Sequence, residues 1–248
     1  FKQKTAYEIY QCDWSSDVCS SDLFGTRHEC RGLIALGQVA VKGEVVDDPD
    51  ADIDVESLDF TVKGETWPYR EKALLMMNKP AGYECSQKPI HHPSIMQLLP
   101  PPLRCRGVQP VGRLDADTTG LLIFTDDGAL LHRLTHPKRH VPKRYRVTCK
   151  HAPSDKMLED LVVGVKLKDE KETLAADDIV RVDEYTIDMT ITSGKYHQVK
   201  RMVAAAGNRV AALQRIAFGA LRLPEDLDRK STRLNSSHTD ISRMPSSA

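Results

Sequence analysis

Several things are missing from this chain of 248 residues, and each absence narrows what it can be. No apolar stretch approaches the roughly 20 residues needed to cross a bilayer, and no basic segment precedes a short apolar run. No membrane association or secretion is therefore expected, and the cytoplasm is the expected compartment. The six cysteines, at positions 12, 19, 30, 85, 105 and 149, include no Cys-x-x-Cys pair, and the histidines do not fall at zinc-site spacing. Reduced thiols without a metal are expected. His91 and His92 are adjacent, but they precede Pro93 in a loop, and neighbouring side chains of an extended segment point apart. The chain also lacks a glycine-rich loop of the kind that cradles phosphate, so neither a metal nor an organic cofactor is expected.

Net charge is absent too, with 35 basic against 35 acidic residues. The two ends, residues 1–23 and 229–248, are serine-rich and lack helix or strand periodicity. They resemble translated sequencing-adapter DNA and are expected to be artefactual or disordered tails. They hold six of the basic and five of the acidic residues, leaving 29 against 30 between Phe24 and Asp228. A nucleic-acid partner is thus not implied by net charge, and any such surface must come from local clustering of Lys and Arg.

Residues 26–36 read as a short helix, and Lys42-Gly43 sits between two short alternating runs as a tight hairpin turn would. This helix-then-hairpin unit is similar to the second half of an S4-type RNA-binding module. An acidic stretch from Asp47 to Asp59 leads into a Gly- and Pro-containing charged segment, which places a domain boundary near residue 70. The expected organisation is a small module and linker over 24–70 and a larger domain over 71–228.

Within the larger domain, residues 74–77, 120–124, 143–149 and 185–192 have the short, β-rich character of strands. Helical patterns lie between them. One begins at Ala129 after Asp126 and Asp127, which can cap a helix N-terminus, and one begins after Ser154. A third places Val199, Met202, Val203 and Ala206 on one stripe, with Gln198, Lys200 and Arg201 off it and Gly207 as the stop. Strands and helices intermix without regular βαβ alternation. An α+β fold around a mixed, largely antiparallel sheet is therefore expected.

The most informative stretch is Gly112 to Gly128, GRLDADTTGLLIFTDDG. Two carboxylates, Asp115 and Asp117, sit in a Thr-rich loop immediately before an apolar strand that would anchor the loop to the sheet. Loops anchored this way commonly display catalytic groups. The pattern resembles the signature of the pseudouridine synthases grouped around the ribosomal small-subunit enzyme. Three further segments agree with that resemblance in order, from about residue 73 to 227: LLMMNKPAGYECS, KRYRV and GKYHQVKRM.

The resemblance implies a pseudouridine synthase catalytic domain that isomerises a specific uridine of ribosomal RNA, 16S rRNA being favoured. It implies Asp115 as nucleophile, Tyr145 as the tyrosine stacking on the target base, and Lys200 as the basic partner of the aspartate, with Arg201 a second candidate. Asp117 is expected to shape the loop or face solvent. Arg113 resembles the family arginine that fills the vacated stack or grips a phosphate, and Lys79 could touch phosphate. Lys138, Arg139, His140, Lys143, Arg144 and Arg146 form a basic cluster that could follow the RNA backbone, with Arg104 and Arg106 as further members. Gln214 departs from the family, where His is usual. The implied partner is 16S rRNA or a partly assembled small subunit, met by a monomer. The alternatives are a synthase for 23S rRNA and a non-catalytic RNA-binding protein of ribosome assembly.

Overall fold

Two Lys-Gly pairs shape the amino-terminal part of the chain. The structure is a computed structural model that describes residues 3–5, 27–54, 59–68, 72–99, 103–104, 106–228 and 232–234. Its described residues form two compact units, one drawn from 1–73 with 99–108 and the other from 74–98 with 109–248. The expected single span 71–228 is thus interrupted: the described residues of 99–108 cluster with the first unit.

The first unit holds β1 (Gln3–Thr5), α1 (Arg27–Ala35), β2 (Val39–Val41), β3 (Glu44–Val45), β4 (Asp52–Asp54), β5 (Asp59–Val62) and β6 (Glu65–Pro68). Lys42-Gly43 joins β2 to β3 and Lys63-Gly64 joins β5 to β6, all four residues having φ between 51° and 86°. Two successive positive φ values are what a type I′ turn requires, and they match the twist of the flanking strands. The strands form one sheet in the order β3-β2-β5-β6, while β1 pairs with β4. Ile34 of α1 packs on Val39, Val41, Ile53, Phe60 and Val62, giving this unit its own core.

The second unit holds β7 (Leu74–Lys79), β8 (Gln109–Pro110), β9 (Thr119–Thr125), α2 (Gly128–Thr135), β10 (Lys143–Cys149), α3 (Asp155–Val163), β11 (Val165–Lys166), β12 (Thr173–Leu174), β13 (Asp178–Arg181), β14 (Thr186–Ile191), α4 (Gln198–Ala205), β15 (Val210–Phe218), β16 (Leu221–Arg222) and β17 (Thr232–Leu234). The large sheet runs β13-β14-β10-β15-β9-β7-β17, with β16 on β15 and β8 on β9. The architecture is α+β, with a mixed sheet in which β9 and β15 form a parallel pair among antiparallel ones.

The two ends expected to be tails lie mostly outside the described residues; the described parts are β1 and β17. Every residue of β7 is buried, and β9 is buried from Gly120 onward, so the centre of the sheet is covered on both faces. On one face Leu130 and Leu134 of α2 pack with Leu74, Met76, Leu121, Ile123 and Phe218. The helix starts come from side-chain caps: Asp127 accepts from the N–H groups of Ala129 and Leu130, and Ser154 accepts from Met157 N–H. No helix among the described residues is long and apolar enough to cross a membrane.

Candidate active site

The segment from Gly112 to Thr118 connects β8 to β9, and its shape is set from underneath by one lysine. Lys79, at the end of β7, has no exposed surface. Its ammonium donates to the carbonyls of Pro80 (3.0 Å), Asp115 (3.1 Å), Ala116 (3.2 Å) and Thr118 (2.9 Å). Burial lowers its pKa, because a charge taken from water prefers to be lost, although neighbouring acidic groups oppose that drift. Gly82 N–H donates to Ala116 O at 2.8 Å, and Thr118 N–H closes a turn onto Asp115 O at 3.1 Å. Lys79, a candidate phosphate contact by sequence, is therefore a loop peg: four carbonyls occupy an ammonium that no phosphate could reach.

At the other end of the loop, Gly120 has φ +100°, and a Cβ added there would stand 2.3 Å from Arg215 O. Only glycine lets β9 approach β15 closely enough to pair in parallel. This fixes where the loop leaves the sheet.

The cation comes from α4, whose Val199, Met202 and Val203 are buried as their spacing predicts. Gln198 is buried as well, contrary to the stripe, because its side chain bonds Ser193 Oγ and accepts from Lys195 N–H at 3.0 Å, tying the preceding loop to the helix. Lys200 Nζ donates to Asp115 Oδ2 at 3.1 Å and to Asp117 Oδ1 at 2.6 Å. Partial burial works against the Lys200 charge, but these two carboxylates outweigh it and raise its pKa. Desolvation likewise works against the charge on Asp117, and the Lys200 hydrogen bond and charge overcome it, holding that carboxyl below its usual range. Asp117 is exposed but paired, rather than simply facing solvent.

Arg201, the neighbour of Lys200, points elsewhere. It lies 3.6 Å from Asp169 and 3.5 Å from Glu170, and it donates to Tyr196 O at 3.2 Å. It is thus committed to an acidic pair, and of the two candidates Lys200 is the one in contact with Asp115.

His197 is the site residue that sequence reasoning missed. Its Nε2 stands 3.2 Å from Asp115 Oδ1, so each oxygen of the carboxylate has a nitrogen beside it. It occupies the N-cap of α4 in the left-handed region, φ 47° and ψ 33°, without capping the helix through its side chain. The available signal was its spacing, since residues three apart share a helix face with Lys200.

Tyr145 lies on β10, buried, in register with Met189 on one side and Arg215 on the other. The ladder to β15 slips between Arg144 and Tyr145, a bulge of the kind that re-aims side chains near active sites. No hydrogen bond joins Tyr145 to Asp115 among the described residues. Arg215 is itself buried at 1% exposure, with Nε donating to Leu121 O at 2.8 Å and Nη2 left without a partner. Arg113 is exposed and has no ion-pair partner among the described residues, so the loop does not consume it.

The basic run divides sharply. Lys138 and Arg139 sit on an exposed 3-10 turn, Pro137–Arg139, with no side-chain partner among the described residues. Lys143 does not face outward as the run suggested: its ammonium donates to Val141 O at 2.9 Å and Thr192 O at 3.1 Å, and burial, with Arg215 nearby, lowers its pKa to about 8. Arg146 forms a two-pronged bond to Asp188 directly across the ladder, at 2.9 and 3.0 Å, and Arg144 stands 3.7 Å from the same carboxylate. The free cations of the run are therefore at its start. No group of three or more potential metal-ligating His, Cys, Asp or Glu side chains occurs among the described residues.

A carboxylate flanked by a lysine and a histidine, in a loop pegged to a sheet, is suited to attack or proton transfer rather than to metal binding. Comparison with known proteins gives the family. A model of RNA pseudouridylate synthases matches residues 73–205. The chain is 38% identical over 203 residues to the uncharacterized RNA pseudouridine synthase YtzG of Bacillus subtilis, covering 81% of this chain and 85% of that protein. It belongs to the RNA pseudouridylate synthase family.

Another relative, ribosomal small subunit pseudouridine synthase A of Haemophilus influenzae, is 37% identical over 204 residues, covering 82% of this chain and 87% of its own length. A crystal structure of a pseudouridylate synthase superposes with a TM-score of 0.66 at 35% identity, covering 89% of this chain and 94% of that one. The synthase-family span begins at β7 with the buried peg and ends in α4, just past Lys200. It therefore encloses Asp115, Tyr145, His197 and Lys200, and stops before β15 with Arg215.

Proposed function

We propose that this synthase isomerises a uridine of ribosomal RNA, 16S rRNA being favoured, with Asp115 as the nucleophile. The observation that carries this reading is the paired environment of Asp115, with Lys200 on one oxygen and His197 on the other. The 16S preference rests on the similarity to small-subunit synthase A.

The reaction breaks the N1 to C1′ bond, turns the uracil and rejoins it through C5, with no redox change and no water consumed. Asp115 can attack C1′ directly, or assist loss of a C2′ proton towards a glycal. Either route needs an ionised carboxylate in a site that closes over the base, and the Lys200 charge offsets the cost of taking that carboxylate out of water. Tyr145 holds the detached ring by stacking and assists proton removal from C5 after rejoining. The uridine must first leave its stack, at a cost of a few kcal/mol that backbone contacts offset. Arg113, Lys138 and Arg139, which have no ion-pair partner among the described residues, are available for those contacts, whereas Arg144, on the same strand as Tyr145, shares Asp188 with Arg146.

The test is to incubate the protein with deproteinised and partly assembled 16S and 23S RNA, then map pseudouridine by carbodiimide-dependent primer-extension stops. A new stop in 16S RNA is expected. Asp115→Asn should lower turnover roughly 10⁴- to 10⁶-fold with RNA affinity nearly intact, since shape is kept and the nucleophile is lost. A stop in 23S RNA alone would move the target, and retained turnover by the variant would overturn the role of Asp115.

A further inference from the structure

The turn that aims His197 at Asp115 also presents an aromatic ring to solvent. Tyr196 is 77% exposed, unusual for so large a ring, although it sits one residue from a group touching the catalytic carboxylate. The ring is not loose: it stacks on the His197 imidazole with centroids 3.9 Å apart and planes 16° from parallel. One face is therefore covered by imidazole and the other is open.

The backbone beneath the ring is held as well. Arg201 donates to Tyr196 O at 3.2 Å, and Glu170 lies 3.5 Å from Arg201 and 3.4 Å from Lys195, bracing the segment on both sides of the tyrosine. His197 keeps a left-handed conformation that non-glycine residues adopt at a cost. The cost orders two rings in a row beside the carboxylate, and only the inner ring is used by Asp115.

We propose that the open face of Tyr196 stacks on a nucleobase of the RNA next to the target uridine. This rests on the reading that the substrate is RNA and that Asp115 acts on an extruded uridine. Extrusion removes a stacking partner from a flanking base, and a flat, pre-ordered aromatic surface beside the site replaces it. A ring face suits a base rather than a phosphate, and stacking tolerates any base identity. Tyr196 then contributes to holding the RNA open, while His197 and Lys200 orient the carboxylate. Arg201 and Glu170 act through Tyr196 as positioning residues.

The experiment measures single-turnover pseudouridine formation against RNA concentration for the full chain. Tyr196→Ala and Tyr196→Leu should raise the half-saturating RNA concentration roughly 5- to 150-fold, the loss of one base-aromatic stack, with the saturating rate essentially unchanged. Tyr196→Phe keeps the ring and should match the wild type. Tyr185→Ala removes an exposed tyrosine elsewhere and should have no effect. A substrate with an abasic sugar at the flanking position should weaken the wild type by a similar factor and the alanine variant no further.

Unchanged half-saturation in both Tyr196→Ala and Tyr196→Leu would overturn the proposal. So would a fall in saturating rate alone, which would make Tyr196 a support for His197 and not an RNA contact. No pseudouridine from the wild type on any RNA would sink the functional reading and this inference together, whereas normal wild-type turnover with unaffected variants sinks this inference alone.

Discussion

Lys79 and Lys200 reach the same seven-residue loop from different elements, and their environments differ as much as their partners. Lys79 comes up from the strand β7 with no exposed surface and spends its ammonium on four backbone carbonyls. Lys200 comes from α4, keeps part of its surface in water and spends its ammonium on two carboxylates. Burial drives the first pKa down against the pull of neighbouring acidic groups, while two hydrogen-bonded carboxylates drive the second up against partial burial. One lysine fixes where the backbone of Asp115 lies and the other meets the charge on its side chain. The first role belongs to folding and only indirectly to chemistry. In the proposed reaction the second belongs to chemistry, and its partly solvated ion pairs contribute on the order of 1 kcal/mol to folding.

The sharpest way to break this contrast is at α4. Lys200→Met should lower the saturating rate of pseudouridine formation by about 10²- to 10³-fold, the usual consequence of deleting one charge-stabilising group. Its urea unfolding midpoint should stay close to that of the wild type. A large loss of stability with normal turnover would reverse the roles assigned to the two lysines.

Lys79→Met tests the other half. Methionine fills the same space without donors, so four carbonyls beneath the loop lose a charged partner. Removing hydrogen bonds to a buried charged group costs about 3 kcal/mol here, read as a lower urea midpoint. Turnover should fall with it, because Asp115 is no longer held in place, while RNA affinity at a temperature where the variant is folded should be unchanged. Weaker RNA binding in a variant of normal stability would restore the phosphate contact that the sequence suggested.

The same contrast explains what the sequence could reveal. Features written locally were legible: the Asp127 and Ser154 caps, the Lys42-Gly43 turn, the apolar stripe of α4 and the anchored loop carrying Asp115 each depend on a few consecutive residues. Lys79 was misread because a lysine beside a turn is ordinarily solvated, and only the return of the chain 36 residues later places carbonyls around it. The resemblance put Lys200 ahead of Arg201 as the partner of Asp115, and the local pattern alone could not show where each side chain goes, since consecutive helical positions diverge by about 100°. His197 was not legible as a site residue, because its left-handed backbone has no signature in a non-glycine residue. The parallel pairing of β9 with β15, with Gly120 against Arg215, joins distant segments of the chain and leaves no local trace beyond one glycine.

Lys143 extends the comparison to a third ammonium, half-buried, and predicts the smallest effect. Like Lys79 it donates to backbone carbonyls, but it sits at the start of β10 and is less completely enclosed. Its pKa in the folded chain is about 8 against an ordinary 10.5, with Arg215 adding to the fall and Asp177 opposing it. Between those values the unfolded chain holds a proton that the folded chain has released. Stability therefore rises with pH across that window, and the gain is lost as pH falls back towards 8. Lys79, also depressed by burial, adds in the same sense, so the wild-type curve alone does not isolate either group. Subtracting the curve of Lys143→Met does. Urea unfolding of both proteins at intervals from pH 7 to 10 should show the wild type gaining stability relative to the variant above pH 8. A constant difference across that range would mean that Lys143 keeps an ordinary pKa in the folded protein, and that its carbonyl partners and surroundings leave it solvated as the outward-facing basic run first implied.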